Sequence, residues 1–163
     1  MPLFRRGPQL KDDALNGLSG MFLSCPTDPT PGADNLDASK LDFSVASLAH
    51  VDDYLDAIRA RKLDERDKAV VVLRCGAYVG EVIRQNSTER DFHWLDYDEA
   101  LRLDSVIGTM GGKSLGLAAV LWSGEQRFSF PMAKVLKYLQ NGRENSVQFF
   151  AQVMLSKGSP LSR

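Results

Sequence analysis

Gly108-Thr109-Met110-Gly111-Gly112-Lys113-Ser114 is the stretch of this sequence that comes nearest in composition to a chemical motif. Glycines leading into Lys-Ser are similar to a phosphate-binding loop. Such a loop places four residues between its first glycine and the Gly-Lys-Ser/Thr, so that successive N–H groups curl round phosphate at a helix start. Only Thr109, Met110 and Gly111 intervene here, and the apolar residues Leu117 to Trp122 that follow read as a strand. A surface loop without a nucleotide is the expectation.

The other reactive residue types are sparse. The histidines, His50 and His93, belong to no compact ligand set, whereas zinc needs three or four converging donors. Cys75 lies within an apolar segment, where a thiol is usually inert, and Cys25 lies in a proline-rich one. The Gly-x-Ser-x-Gly elbow of hydrolases is missing. The sequence therefore supports no catalytic set, no metal and no cofactor.

Carboxylates offer more. Glu81 follows Gly80 in the most apolar part of the chain, where an unpaired acid must raise its pKa or find a partner, with Arg74 and Arg84 at hand. The expected role is a tie between two elements, and the alternative is a functional acid. Asp52, Asp53 and Asp56 cluster on one helical segment and read as a solvated acidic face. Tyr78 and Trp94, with Tyr54, Tyr97 and Trp122, supply aromatic surface for a groove or for the core.

These residues need elements to hold them. Ser44 caps a helix with Val45, Leu48, Val51, Leu55 and Ile58 on its buried face, and the polar residues Asp64 to Asp67 end that unit. Residues 69–84 are apolar nearly all round. The run Val70-Val71-Val72 favours a strand, but the length of the segment favours a central helix, in which Gly76 and Gly80 form a bare patch for close approach. Phe92 to Leu95 reads as a strand, and Asp96 with Glu99 as a helix-capping pair. Leu115 to Phe130 reads as a β-hairpin turning at Ser123-Gly124-Glu125-Gln126. Pro131 begins a helix that Asn141-Gly142 stops, and a last helix covers about Glu144 to Leu155.

Prolines and glycines punctuate residues 1–40, leaving only Gly20 to Ser24 as a possible short strand. The expected organisation is an irregular arm over 1–40, one α+β domain over 41–156 and a tail over 157–163. The domain is read as a compact fold with a short antiparallel sheet, including the hairpin near 115–130, packed with about four helices.

The chain has 163 residues, 44% of them hydrophobic and 25% charged, which is ordinary for one globular domain and too apolar for a wholly disordered chain. Apolar runs fall short of the ~20 residues that span a bilayer, so membrane insertion is not expected. The basic start lacks the apolar stretch of a secretory signal, and two cysteines suit a reducing compartment, so the expected location is cytoplasmic. A net charge of −1 gives no field toward nucleic acid, and acids flank Trp94 and Tyr97, so nucleic-acid binding is not expected. Charge is nonetheless uneven. Residues 28–67 hold ten acids against five bases, and residues 127–163 hold six bases against one acid. Such asymmetry orients a partner or packs the two ends side by side.

Three segments, Leu41 to Leu48, Gly76-Ala77-Tyr78-Val79-Gly80-Glu81-Val82-Ile83-Arg84 and Phe130 to Val135, resemble those of a family of small, mostly bacterial proteins of unknown function. The resemblance covers about residues 41–155, with Gly-Ala-Tyr-x-Gly-Glu-Val as its most distinctive motif. It implies a compact α+β domain and carries no catalytic set. By analogy with other small bacterial domains, it motivates an immunity or adaptor role beside a toxin or secretion system.

The resulting expectation is a non-enzymatic interaction module that docks a protein partner through the acidic surface of Asp52, Asp53 and Asp56. Tyr78, Glu81 and Trp94 are the further candidate binding residues. The alternatives are a small-ligand binder or enzyme centred on Glu81 and Tyr78, and a structural homo-oligomer such as a homodimer.

Overall fold

The computed structural model describes residues 6–124 and 127–156. Glu125 and Gln126 of the expected hairpin turn and the 157–163 tail lie outside these residues. The fold is α+β: the described residues form six α-helices and a three-stranded antiparallel sheet. In chain order these are α1 (Asp12–Leu23), α2 (Leu48–Arg59), α3 (Glu65–Asn86), β1 (His93–Asp96), α4 (Tyr97–Leu103), β2 (Ala119–Trp122), β3 (Phe128–Ser129), α5 (Pro131–Asn141) and α6 (Val147–Leu155).

The ambiguous apolar segment is the central helix. Asp64 caps α3 by accepting the Asp67 N–H at 2.7 Å, so the polar residues read as the end of the preceding unit are the first turn of α3. Twenty-two residues give about 33 Å of helix. From Val71 to Ile83 nearly every side chain is buried, including Cys75, Tyr78, Val79 and Val82. Burial on all sides outweighs the small helix penalty of the valines. α1, α5 and α6 pack against this rod, and α2 packs on α5 and α6.

Residues 1–40 are less irregular than the punctuation suggests. Asp12–Leu23 forms a regular helix in which Leu15, Ser19 and Phe22, at i, i+4 and i+7, face α3. Gly17 and Gly20 lie on its open side, where nothing comes within 4 Å, so they weaken the pattern without breaking the helix. Gly20 to Ser24, read as a possible strand, instead completes and closes this helix. Downstream, Arg74 of α3 is only 4% exposed and pins the proline-rich segment, donating to the Asp28 carbonyl at 2.7 Å and to Thr30 Oγ1 at 3.2 Å.

The hairpin forms as expected, although Leu115–Leu117 is a 3₁₀ turn that precedes β2. β1 pairs with β2 and β2 with β3, which sets β2 in the middle. The pleat sends Trp94 and Leu121 into the main core against α3. It sends Leu95 and Val120 into a second cluster with Tyr97, Ala100, Ile107 and Leu117. Pro131 opens α5, and Gly142 at φ +90° closes it, where a side chain would be strained and would also meet Arg59. The last helix starts at Val147, three residues later than expected, because Arg143–Asn145 forms a 3₁₀ turn and Ser146 supplies the cap.

Candidate functional site

The structure places Glu81 and Tyr78 in the packed interior. Glu81 is 1% exposed. Its Oε1 accepts the Trp94 indole N–H at 3.1 Å and an Arg84 N–H at 2.8 Å. Arg84 in turn donates to the Phe92 carbonyl at 3.0 Å and meets Asp12 at 3.1 Å. Asp12 also accepts the Trp94 backbone N–H at 2.6 Å and contacts His93 Nδ1 at 2.8 Å. One connected polar chain thus joins α3, β1 and the start of α1, and its buried charges are paired. Of the two arginines available to Glu81, Arg84 is the partner.

Tyr78 is also fully buried. Its hydroxyl pairs with Ser47 Oγ at 2.7 Å and accepts the Phe43 N–H at 3.1 Å. Phe43 has φ +62°, the left-handed region that a bulky residue seldom occupies. Its ring lies 4.8 Å from that of Tyr78, and its carbonyl accepts from Asn86 at 2.8 Å. Tyr78 therefore anchors the turn that leads into α2. Burial raises the Tyr78 pKa, against the opposing effect of its hydrogen bonds to Ser47 and Phe43.

The acidic face needs correction at Asp52. This side chain is 3% exposed and points inward, accepting Ser146 Oγ–H at 2.6 Å and the Val147 N–H at 2.8 Å, so that α2 caps α6. Burial holds its pKa above the ordinary value despite these bonds. Asp53 and Asp56 do reach the surface, but Arg143 spans both, at 2.8 and 2.6 Å. Tyr138 adds a hydrogen bond to Asp56 at 2.6 Å, and this bond, ahead of Arg143, lowers the Asp56 pKa. The acid-rich and base-rich parts of the chain meet here, which accounts for part of the charge asymmetry.

Gly111 and Gly112 take positive φ in the loop, and only a three-residue 3₁₀ turn follows Ser114, so no long helix offers its N-terminus to phosphate. Cys75 is fully buried, and burial pushes its thiol well above the usual range. Among the described residues no group of three or more His, Cys, Asp or Glu could hold a metal ion.

An open concavity lies elsewhere. A groove of about 650 Å³ runs between β3, α5, α6 and the segment around Met110 to Leu117. Leu117, Phe128, Phe130, Phe150 and Met154 give it an apolar lining, while Met110, 47% exposed, stands at its edge. Two cations, Lys134 and Lys137, line it as well, and among the described residues no acid does. Lys134 Nζ lies 6.0 Å from the Phe150 ring centroid and 3.4 Å from Asn145 Oδ1. Burial, followed by the charge of Lys137, lowers the Lys134 pKa. Ser129, 3% exposed, also lines the groove, and its hydroxyl has no hydrogen-bond partner.

None of the six expected binding residues lines this groove. A sequence signal for it did exist: Pro131–Asn141 contains two lysines and no acid, so neither has an in-helix partner. The remaining lining comes from three separate segments that only the fold brings together. Compared with protein-family models, curated proteins and solved structures, the chain finds no match.

Proposed function

We propose that this protein is a non-enzymatic interaction module that docks a protein partner through the groove between β3, α5 and α6. The observation that carries the reading is the groove itself: an open, mainly apolar trough with two lysines and, among the described residues, no opposing carboxylate. Concave apolar surfaces with a few convergent polar groups are the usual form of binding sites.

The groove replaces the acidic face in this reading. Asp52 is committed to capping α6, and Asp53 and Asp56 share the guanidinium of Arg143. A ligand site or enzyme centred on Glu81 and Tyr78 lacks support, because both are enclosed and satisfied by protein groups. No described helix is long and apolar enough to cross a membrane. Under the family resemblance seen in the sequence, the module would serve as an immunity or adaptor protein in a bacterial cytoplasm.

Site-specific photo-crosslinking in the native cell tests the proposal, with the crosslinker at position 137 and, as control, at position 53. The expected result is one stoichiometric protein adduct from position 137 that disappears with Met110→Glu. Equal adducts from both positions, or none from 137, would overturn the groove reading. An adduct of twice the chain mass would identify a homo-oligomer instead.

A further inference from the structure

The two edges of the sheet are treated differently. On the β1 edge, Trp94 turns its backbone groups outward. Its carbonyl accepts the Lys11 N–H at 2.8 Å and its N–H donates to Asp12 at 2.6 Å, so the chain entering α1 covers that edge. At the other edge, Ser123 N–H donates to the Arg127 carbonyl at 3.1 Å, which makes 123 and 127 a bonded pair. Bonded and non-bonded pairs alternate in an antiparallel ladder. With Leu121 opposite Ser129 and Trp122 opposite Phe128, the backbone N–H and C=O of Phe128 therefore point away from β2. Phe128 and Ser129 lie on opposite faces of the sheet, yet both line the groove, as does Phe130. Hence the groove runs along the open edge of β3.

Resting on the interaction-module reading, we propose that the groove takes an extended, acidic–apolar segment of a partner protein, which adds as a short strand against β3. The outward N–H and C=O of Phe128 supply one pair of backbone bonds to the incoming segment, as in other strand-addition complexes. Alternate side chains of such a segment point one way. Apolar ones enter the trough beside Phe130, Phe150 and Met154, and an acidic one meets Lys134 and Lys137.

Two observations select this occupant. The charge is one-sided: neither lysine meets a carboxylate among the described residues, and an acid held at the groove would form charge-assisted bonds with them. The trough is also open, with Met110 half exposed at its edge, whereas a free small molecule is usually buried over some 70–90% of its surface. A segment that belongs to a larger body gains its remaining contact outside the groove. Because β3 has only two residues, backbone pairing supplies direction and register, and groove filling supplies most of the affinity.

The test uses the full chain and a phage-displayed library of random linear peptides, with enriched sequences remade as synthetic peptides and measured by fluorescence anisotropy. Expected are peptides with an acid among apolar residues. Affinity should fall about tenfold or more when the acid becomes Gln, or when Lys134→Glu or Lys137→Glu is introduced. Single N-methylation along the peptide backbone should weaken binding at alternate positions. Lys137 is exposed, so Lys137→Glu keeps the test valid if Lys134→Glu fails to fold.

Peptides that lose affinity with Met110→Glu but ignore both N-methylation and acid replacement would overturn strand addition while leaving the groove as the docking site. Enriched peptides indifferent to Met110→Glu and to both lysine variants would remove the groove reading as well. Saturable binding of decanoate in the groove, with no peptide enriched, would assign it to a free carboxylate and overturn the partner segment.

Discussion

The indole of Trp94 lies against the backbone of Gly80, so close that a β-carbon at position 80 would sit 2.0 Å from its Cζ2. The same indole donates its N–H to Glu81, the next residue of α3, at 3.1 Å. Glycine and acid are therefore two halves of one seat for the tryptophan that fixes the sheet on the central helix. Gly80→Ala should destabilise the protein by about 2–3 kcal/mol, since overpacking outweighs the ~1 kcal/mol gained in helix propensity. A urea titration checks this, with Gly20→Ala as the contrast. Position 20 is helical and has open space around it, so alanine there should stabilise by up to about 1 kcal/mol.

Glu81 holds the polar half of that seat. Removing it with Glu81→Ala leaves the Trp94 N–H without its acceptor and Arg84 with only Asp12 and the Phe92 carbonyl. The cost should be about 3 kcal/mol or more, as for other broken buried pairs. Glu81→Gln keeps an oxygen for Trp94 and should cost about half as much. Equal losses in both variants, read from denaturant midpoints, would mean that the charge paired with Arg84, and not the acceptor for Trp94, sets the role of Glu81.

Much of this arrangement is legible in the sequence wherever burial pattern and local chemistry agree. The Gly76–Gly80 patch, the Asp96 cap onto Glu99, Pro131 at the start of α5 and Gly142 at its end all form as their residue types indicate. Gly76 lets the backbone of Met132 approach, so that a β-carbon at position 76 would lie 3.1 Å from the Met132 Cα. α1 is obscured because two glycines dilute its apolar stripe, and a helix that gains its stability by packing on α3 needs only Leu15 and Phe22 to do so. Asp52 is misread for a related reason. A polar residue one position beyond the buried Val51 looks solvent-facing until the α6 terminus, ninety-five residues away, supplies its donors. The groove is hidden most thoroughly, since its walls come from segments that no local periodicity links.

Asp52 also separates capping from charge. Asp52→Ala strips two bonds from the start of α6 and should cost about 2 kcal/mol, whereas Asp52→Asn keeps one acceptor and should cost about 1 kcal/mol. Asp53→Asn, at an exposed side chain paired only with Arg143, should stay within about 0.5 kcal/mol of the parent. Thermal melts of the three variants should rank in that order. If Asp53→Asn were the most damaging, the exposed acids would carry a stabilising weight that their geometry does not support.

The junction of α1 with β1 should respond to pH through His93. Its hydrogen bond to Asp12, at 2.8 Å, is the leading cause that raises its pKa above the ordinary 6.5, and Asp91 at 3.3 Å adds to it. Arg84 also faces Asp12, at 3.1 Å. A histidine whose pKa is raised on folding binds its proton more tightly in the native state. Its contribution is fully present below pH 6.5 and is lost as pH rises through the folded value. Denaturant midpoints should therefore fall from slightly acid to slightly alkaline solution, and His93→Gln should flatten that slope. Asp28 and Asp56, whose pKa values are lowered, act at the acid end: their stabilisation is lost as pH falls through their folded values. A midpoint that rises between about pH 6 and 8 in the parent chain, or a slope unchanged by His93→Gln, would show that the Asp12–His93 contact does not hold α1 against the sheet.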